Sequence, residues 1–168
     1  MQPTYGHLVK LTRVGKDREL IDLYKMRTMH PYLEYLQDYV FKQNKLDDGG
    51  KFKKDFRITP WGHWMRKLWI DEQPMWINYF KGDVKLVGVR PLSRHYFDVY
   101  PEDLQDLRTK YKPGLIPPFY VVLPRTFDEI LESERCYLQQ YQKAPIRTDI
   151  KYFFKALNNI FIKRARSA

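Results

Sequence analysis

Only one cysteine, Cys136, stands in 168 residues. No internal disulfide can form, and no cysteine cluster can hold a metal. A lone thiol fits a reducing compartment and reads as a small buried hydrophobe. No uncharged apolar run approaches the ~20 residues of a membrane-spanning helix, and the N-terminus lacks the basic-then-apolar pattern of a signal peptide. The four histidines, His7, His30, His63 and His95, miss metal-ligand spacing, and no H-E-x-x-H occurs. There is no G-x-x-x-x-G-K-[ST] phosphate loop, no G-x-G-x-x-G and no G-x-S-x-G elbow, which argues against P-loop, dinucleotide and α/β-hydrolase enzymes. Repeats and low-complexity tracts are missing too, and DDGG at 47–50 is the clearest loop.

What the chain does have is aromatic and basic side chains. It carries 13 Tyr, 10 Phe and 4 Trp, a hydrophobic content of 43% and a net charge of +10. That apolar content excludes a disordered chain, and the length suits one domain over residues 1–168. The charge implies an acidic partner, whether nucleic acid, an anionic lipid surface or a phosphorylated substrate, and does not choose among them.

Leu8 to Arg13 and Glu19 to Met26 read as two strands joined across a turn containing Gly15, within a hairpin region spanning 8–30. Pro31 opens an expected helix to about Gln43, with Leu33, Leu36 and Val40 on one stripe. In ITPWGHWMRKLWI, Thr59 can cap and Pro60 suits the first helical position. Trp61, Trp64, Met65, Leu68 and Trp69 then share one face. These rings suit either a core or a lipid interface. Spacing puts Arg66 away from them, as a solvated residue.

Asp71 and Glu72 follow, just before Gln73-Pro74. Proline suits the first turn of a second helix, Pro74 to about Phe80. Carboxylates at a helix N-terminus gain roughly 0.3 to 1 kcal/mol in their ionised form. Such acids can ligate a metal or act as nucleophiles, although simple N-capping is the plainer reading. VKLVGV reads as a short strand that ends at Arg90, where Pro91 fixes the backbone and a planar guanidinium suits bidentate phosphate binding. The segment 59–91 is therefore a helix, a corner, a helix and a strand around chemistry-bearing residues.

Further on, Pro101 starts a helix carrying Leu104, Leu107 and Tyr111, and LIPPFYVVLP is expected to be extended and irregular. Thr126 to Glu129 is a capping box that opens a helix bearing Phe127, Ile130, Leu131, Leu138 and Tyr141. The last segment sets Ile150, Phe153, Phe154, Leu157, Ile160 and Phe161 against Lys151, Lys155, Lys163 and Arg164. This pattern suits an interfacial membrane helix or a core-packed terminal one. Near an anionic leaflet each of these cations would add roughly 1 kcal/mol. The expected fold class is α+β, mostly α: a small N-terminal β-hairpin with amphipathic helices packed around it, those of 126–168 among them, and several lying at a membrane interface.

YKMRTM at 24–29, WMRKLWIDEQP at 64–74 and NYFKGDVKLVGVRPLS at 78–93, with RVG at 13–15 and KPG at 112–114, resemble in order and spacing the bacterial sugar transferases, the monotopic polyprenol-phosphate phosphoglycosyl transferases. The resemblance implies transfer of a sugar phosphate from a UDP-sugar to undecaprenyl phosphate, as the first membrane step of surface glycan assembly. It implies Asp71 as nucleophile, Glu72 as its dyad partner, and Mg2+ held by Asp71 and Glu72. Lys25, Arg27, Arg66, Arg90 and Pro91 are implied to bind phosphate and shape the substrate site, which reverses the solvated reading of Arg66. The implied setting is the cytoplasmic face of a bacterial inner membrane, with anionic lipid as a further partner and no nucleic acid.

Several departures accompany the match. Val89 stands where the family has proline, Gln73 where it has leucine, and LIPPFY where it has I-T-G-x-A-Q. The family carries an apolar membrane helix ahead of its first strand, and this chain starts where that helix would have ended. Membrane docking is thus expected through amphipathic helices or through a segment outside these residues. A catalytically silent membrane-associated fragment of the family is the alternative reading. Nucleic-acid binding rests on charge and tyrosine content alone, without a recognised motif.

Overall fold

The structure, a computed structural model, describes residues 6–30 and 56–161. The expected helix at 31–43, the DDGG loop, Lys163 and Arg164 lie outside the described residues. The rest is the expected α+β, mostly α arrangement.

β1 (Leu8–Val14) and β2 (Leu20–Met26) form an antiparallel hairpin in which Leu11 faces Leu23 and Val14 faces Leu20. The turn between them is tight, with Asp17 and Arg18 both in the left-handed region. Strand alternation leaves Leu23 fully buried against Met75 and Val84. A second, parallel pair joins β3 (Lys85–Val87) to β4 (Gly114–Ile116). The KPG glycine is needed there: a Cβ on Gly114 would lie 2.1 Å from the Gly88 nitrogen. Beyond β3, the Val14 amide donates to the Leu92 carbonyl at 2.9 Å and ties the hairpin to the chain that carries Arg90.

Seven helices surround these sheets among the described residues. α1 (Pro60–Lys67) starts as expected: the Gly62 amide donates to the Thr59 hydroxyl at 2.8 Å, and Pro60 follows the cap. α2 (Trp76–Lys81) ends at Gly82 in the left-handed conformation. The short helices α3 (Arg94–Asp98), α4 (Glu102–Thr109) and α5 (Phe119–Val122) lead to α6 (Phe127–Lys143) and α7 (Pro145–Phe161). α6 opens on its capping box, with the Glu129 amide on the Thr126 hydroxyl at 3.2 Å. The main core gathers Val87, Phe97, Tyr100, Leu104, Tyr137, Leu138 and Tyr152.

Several expectations are corrected. α5 forms inside the stretch read as extended, because Pro117 and Pro118 precede its first turn, where a missing N–H leaves no bond unmade. Cys136 is exposed, since the buried stripe of α6 runs through Glu134, Tyr137 and Leu138. α1 stops at Lys67, and Trp69 adopts φ 57, which ends the helix before the acids.

The aromatic stripe of α1 also points outward. Trp61 is 66% exposed and stacks on Trp64 at 5.0 Å, while Gly62 and Met65 face the protein. α7 behaves alike: Thr148, Tyr152, Ala156 and Asn159 are buried, Phe153 packs partly against the core, and Ile150 and Phe154 remain exposed. Asn159 holds that buried face by donating to the Tyr120 and Val121 carbonyls at 3.0 and 2.8 Å. No helix among the described residues is long and apolar enough to cross a membrane.

Candidate active site

The two acids sit in a 3₁₀ turn, Ile70–Met75, between α1 and α2, rather than at the N-terminus of a helix starting at Pro74. Pro74 lies inside that turn, and the left-handed Trp69 aims the chain into it. A non-glycine residue in this region is strained, and such strain gathers at functional sites.

Asp71 is 8% exposed, and its Oδ1 is buried with no hydrogen-bond partner among the described residues. Burial, and then the neighbouring Glu72 carboxylate, raise its pKa above the ordinary 3.8, while Lys25 and Arg66 pull the other way. The stabilising helix-end setting expected for this group is therefore replaced by one that disfavours its charge. Glu72 is held from β2, where the Lys25 Nζ donates to its Oε1 at 2.7 Å.

A buried asparagine that sequence reasoning passed over sets this pair. Asn78 accepts from the Tyr24 amide at 3.0 Å, and donates to the Asp22 carbonyl at 2.7 Å and to Asp83 at 2.9 Å. It thereby fixes α2 to β2 one residue from Lys25. Its only signal in the sequence was its place in NYFKGD.

Arg66 faces inward because the aromatic stripe of α1 faces outward. Its Nε donates to the Thr28 hydroxyl at 3.0 Å, beside the contact of Gly62 with the Thr28 backbone. The solvated reading from spacing is thus overturned. Arg90 follows β3; its carbonyl accepts from the Arg108 guanidinium at 2.6 Å, and its own guanidinium lies 5.9 Å from the centre of the Phe119 ring. Behind it, Arg108 and Glu134 form a buried ion pair at 3.5 Å.

A small cleft, open to solvent, lies among these elements. Lys25, Glu72, Arg90 and Pro91 line it together with Arg13, Phe119 and Tyr120. Of the expected residues, Asp71 sits beside the lining residue Glu72, and Arg66 is close enough to act on the charge of Asp71. Arg27 is not brought to the cleft wall, and its Nε donates to the Gly6 carbonyl at 3.0 Å. Arg13 was not singled out from sequence. Burial and the charge of Arg90 lower its pKa to about 10.

Chemically, the cleft lies beside an ionisable oxygen in a desolvated turn whose charge Lys25 and Arg66 favour, and it has aromatic walls. That set suits a nucleophile working on an anionic substrate.

A family model described as bacterial sugar transferase matches residues 3–163. The galactosyl transferase CpsE of Streptococcus agalactiae is 32% identical over 156 residues, covering 89% of this chain and 33% of that protein. The undecaprenyl-phosphate galactose phosphotransferase of Salmonella typhimurium is 34% identical over 116 residues, covering 66% of this chain and 23% of its own length. An uncharacterized sugar transferase of Bacillus subtilis, EpsL, is 39% identical over 106 residues, covering 63% of this chain and 46% of that protein. The chain thus spans less than half the length of each of these relatives.

Proposed function

Because the chain belongs to the bacterial sugar transferase family, we propose that it moves a sugar 1-phosphate from a UDP-sugar to undecaprenyl phosphate through a covalent intermediate on Asp71. The observation that carries this reading is the buried, unpartnered Asp71 oxygen beside Glu72, in a turn next to a cleft with Lys25 and Arg90 on its wall. The activity by which the Salmonella relative is named supports it from a second side.

In the first step a carboxylate oxygen of Asp71 attacks the β-phosphorus of the UDP-sugar. The bond from that phosphorus to the bridging oxygen breaks, and UMP departs with the electron pair. In the second, a phosphate oxygen of undecaprenyl phosphate attacks the same phosphorus and releases the Asp71 carboxylate. Burial strips Asp71 of water and leaves its charge less stabilised, which favours attack. Glu72, held by Lys25, is the second acid of the dyad, and Arg66 and Arg90 place positive charge where the phosphoryl oxygens spread theirs.

Mg2+ binds through one or two carboxylates plus substrate phosphates and waters. The unpartnered Asp71 oxygen fits such a site, and among the described residues no cluster of three His, Cys, Asp or Glu offers a closed cage instead. Asp71 and Glu72 would hold the ion. When bound, it would neutralise the diphosphate.

Docking to a bilayer follows from the outward apolar faces. Trp61 and Trp64 of α1 with Leu68 just past its end, Trp76, Ile77 and Phe80 of α2, and Ile150 and Phe154 of α7 are all exposed, Phe80 to 81%. Indole rings are favoured at the headgroup level, and the net charge of +10 favours anionic lipid. On this reading these faces meet the cytoplasmic side of the inner membrane.

The test is release of UMP from a UDP-sugar in the presence of undecaprenyl phosphate and Mg2+. The wild-type protein is expected to release it and Asp71→Asn is not. Equal release by both would remove Asp71 from the chemistry.

A further inference from the structure

We propose that Arg13 is a substrate-binding residue, forming with Arg90 a paired guanidinium seat for one phosphate group in the cleft. This rests on the transferase reading above and adds to it a residue that neither the acid dyad nor the phosphate-binding set contains.

The seat is built by the fold. Arg13 is the last residue but one of β1, and the next residue, Val14, bonds through its amide to the Leu92 carbonyl, two positions beyond Arg90. That bridge brings the two arginine-bearing segments side by side, and both side chains line the cleft. Arg13 makes one hydrogen bond, from its guanidinium to the adjacent Thr12 carbonyl at 2.8 Å. Among the described residues, no carboxylate lies within ion-pair distance of either arginine.

The charge of the wall gives the ligand its class. The charged groups lining the cleft are Arg13, Lys25, Arg90 and Glu72, and Lys25 and Glu72 already pair with one another. Two guanidiniums remain, Arg13 partly buried and Arg90 exposed; burial of Arg13 and repulsion from Arg90 account for the lowered pKa of Arg13. Held together without an anion, such a pair disfavours the folded state. A phosphate or diphosphate supplies the opposite charge and accepts the planar forks of both side chains. Two sources carry that chemistry here: the diphosphate of the nucleotide sugar and the phosphate of the polyprenyl acceptor.

The experiment measures binding of UDP, and separately of undecaprenyl phosphate in lipid nanodiscs, by the wild-type protein, Arg13→Lys and Arg13→Gln, alongside the thermal midpoint of each ligand-free protein. Arg13→Gln is expected to weaken one of the two ligands tenfold or more and Arg13→Lys to weaken it about threefold. The ligand-free midpoint of Arg13→Gln should stay level or rise, because removing one of two like charges relieves repulsion. A loss in the UDP arm assigns the seat to the donor, and a loss in the undecaprenyl phosphate arm assigns it to the acceptor. The proposal is overturned if Arg13→Gln binds both as the wild type does, if its midpoint falls together with its affinity, or if the wild type binds neither. Should Arg13→Gln fail to fold, Arg13→Lys decides, and a change below twofold in both arms overturns the proposal. Tight UDP binding that depends on Arg13 in a protein that never releases UMP would instead sink the proposed reaction and leave the seat standing.

Discussion

Asp71 and Glu134 are both carboxylates withdrawn from water, at 8% and 1% exposure, and both have their pKa raised by burial. Their surroundings differ. Glu134 lies in the core with Arg108 at 3.5 Å and the Tyr100 hydroxyl at 3.5 Å. Arg108 in turn donates to the Arg90 carbonyl, so that pair supports the backbone of the cleft from behind. Asp71 sits in a strained turn next to the cleft, with a buried oxygen that nothing holds. Each acid has a buried oxygen without a hydrogen bond, Glu134 Oε2 and Asp71 Oδ1. Glu134 Oε2 has the Arg108 guanidinium as counter-ion and serves the fold, whereas Asp71, in no ion pair among the described residues, is available to a substrate.

The sharpest break between the two is kinetic. Asp71→Asn should lower UMP release on the order of a thousandfold or more, as removal of a nucleophile does, while its unfolding midpoint in metal-free buffer stays level or rises. Glu134→Ala should do the reverse. It leaves Arg108 buried and unpaired and is expected to cost about 3 to 5 kcal/mol in urea unfolding, whereas the double change Arg108→Met with Glu134→Leu recovers much of that loss.

A smaller effect follows from pH. The pKa of Asp71 in the fold stands above its unfolded value, so its neutral form suits the fold and stability is lost as pH rises through the folded value. The stability advantage of Asp71→Asn should therefore be full above the folded pKa of Asp71 and close as the solution is acidified below the ordinary carboxylate range. Chemical denaturation of both proteins across pH, with chelator present, measures that gap. The smallest effect belongs to the pair at the cleft mouth: Lys25→Met removes a partly exposed ion pair and should shift stability by less than about 1 kcal/mol, yet lower turnover severalfold because Glu72 loses its orientation. A large loss of stability in Lys25→Met would make that pair a structural one, like Arg108–Glu134.

Where local chemistry decides, the chain was readable: the hairpin, the Thr59 and Thr126 caps, and the order of the residues that carry the family resemblance. Periodicity showed which side chains share a face of α7 but not which way it turns, and on α1 it grouped the buried Met65 with the exposed Trp61, Trp64 and Leu68. On α1 the answer lies with Gly62, whose missing Cβ lets the helix touch the Thr28 backbone, since an added Cβ would sit 2.1 Å from that carbonyl oxygen. On α7 it lies with Asn159, which reaches the Tyr120 and Val121 carbonyls. The RVG that holds Arg13 was read as part of the family resemblance, but its place at the cleft was not, for a related reason. Its meeting with Arg90 depends on the bridge between Val14 and Leu92, a contact across 78 residues that no strand pattern announces. The direction in which the fold moves the Asp71 pKa was misjudged because its position along the chain suggests a helix end, whereas burial within a 3₁₀ turn governs it.

The most direct test of the central claim is peptide mass spectrometry of the full-length protein, quenched after incubation with a UDP-sugar and Mg2+ but without acceptor. The account predicts one sugar phosphate on the peptide that contains Asp71, and its disappearance when undecaprenyl phosphate is added before quenching. An unmodified Asp71 in a preparation that turns over once acceptor is supplied would contradict it.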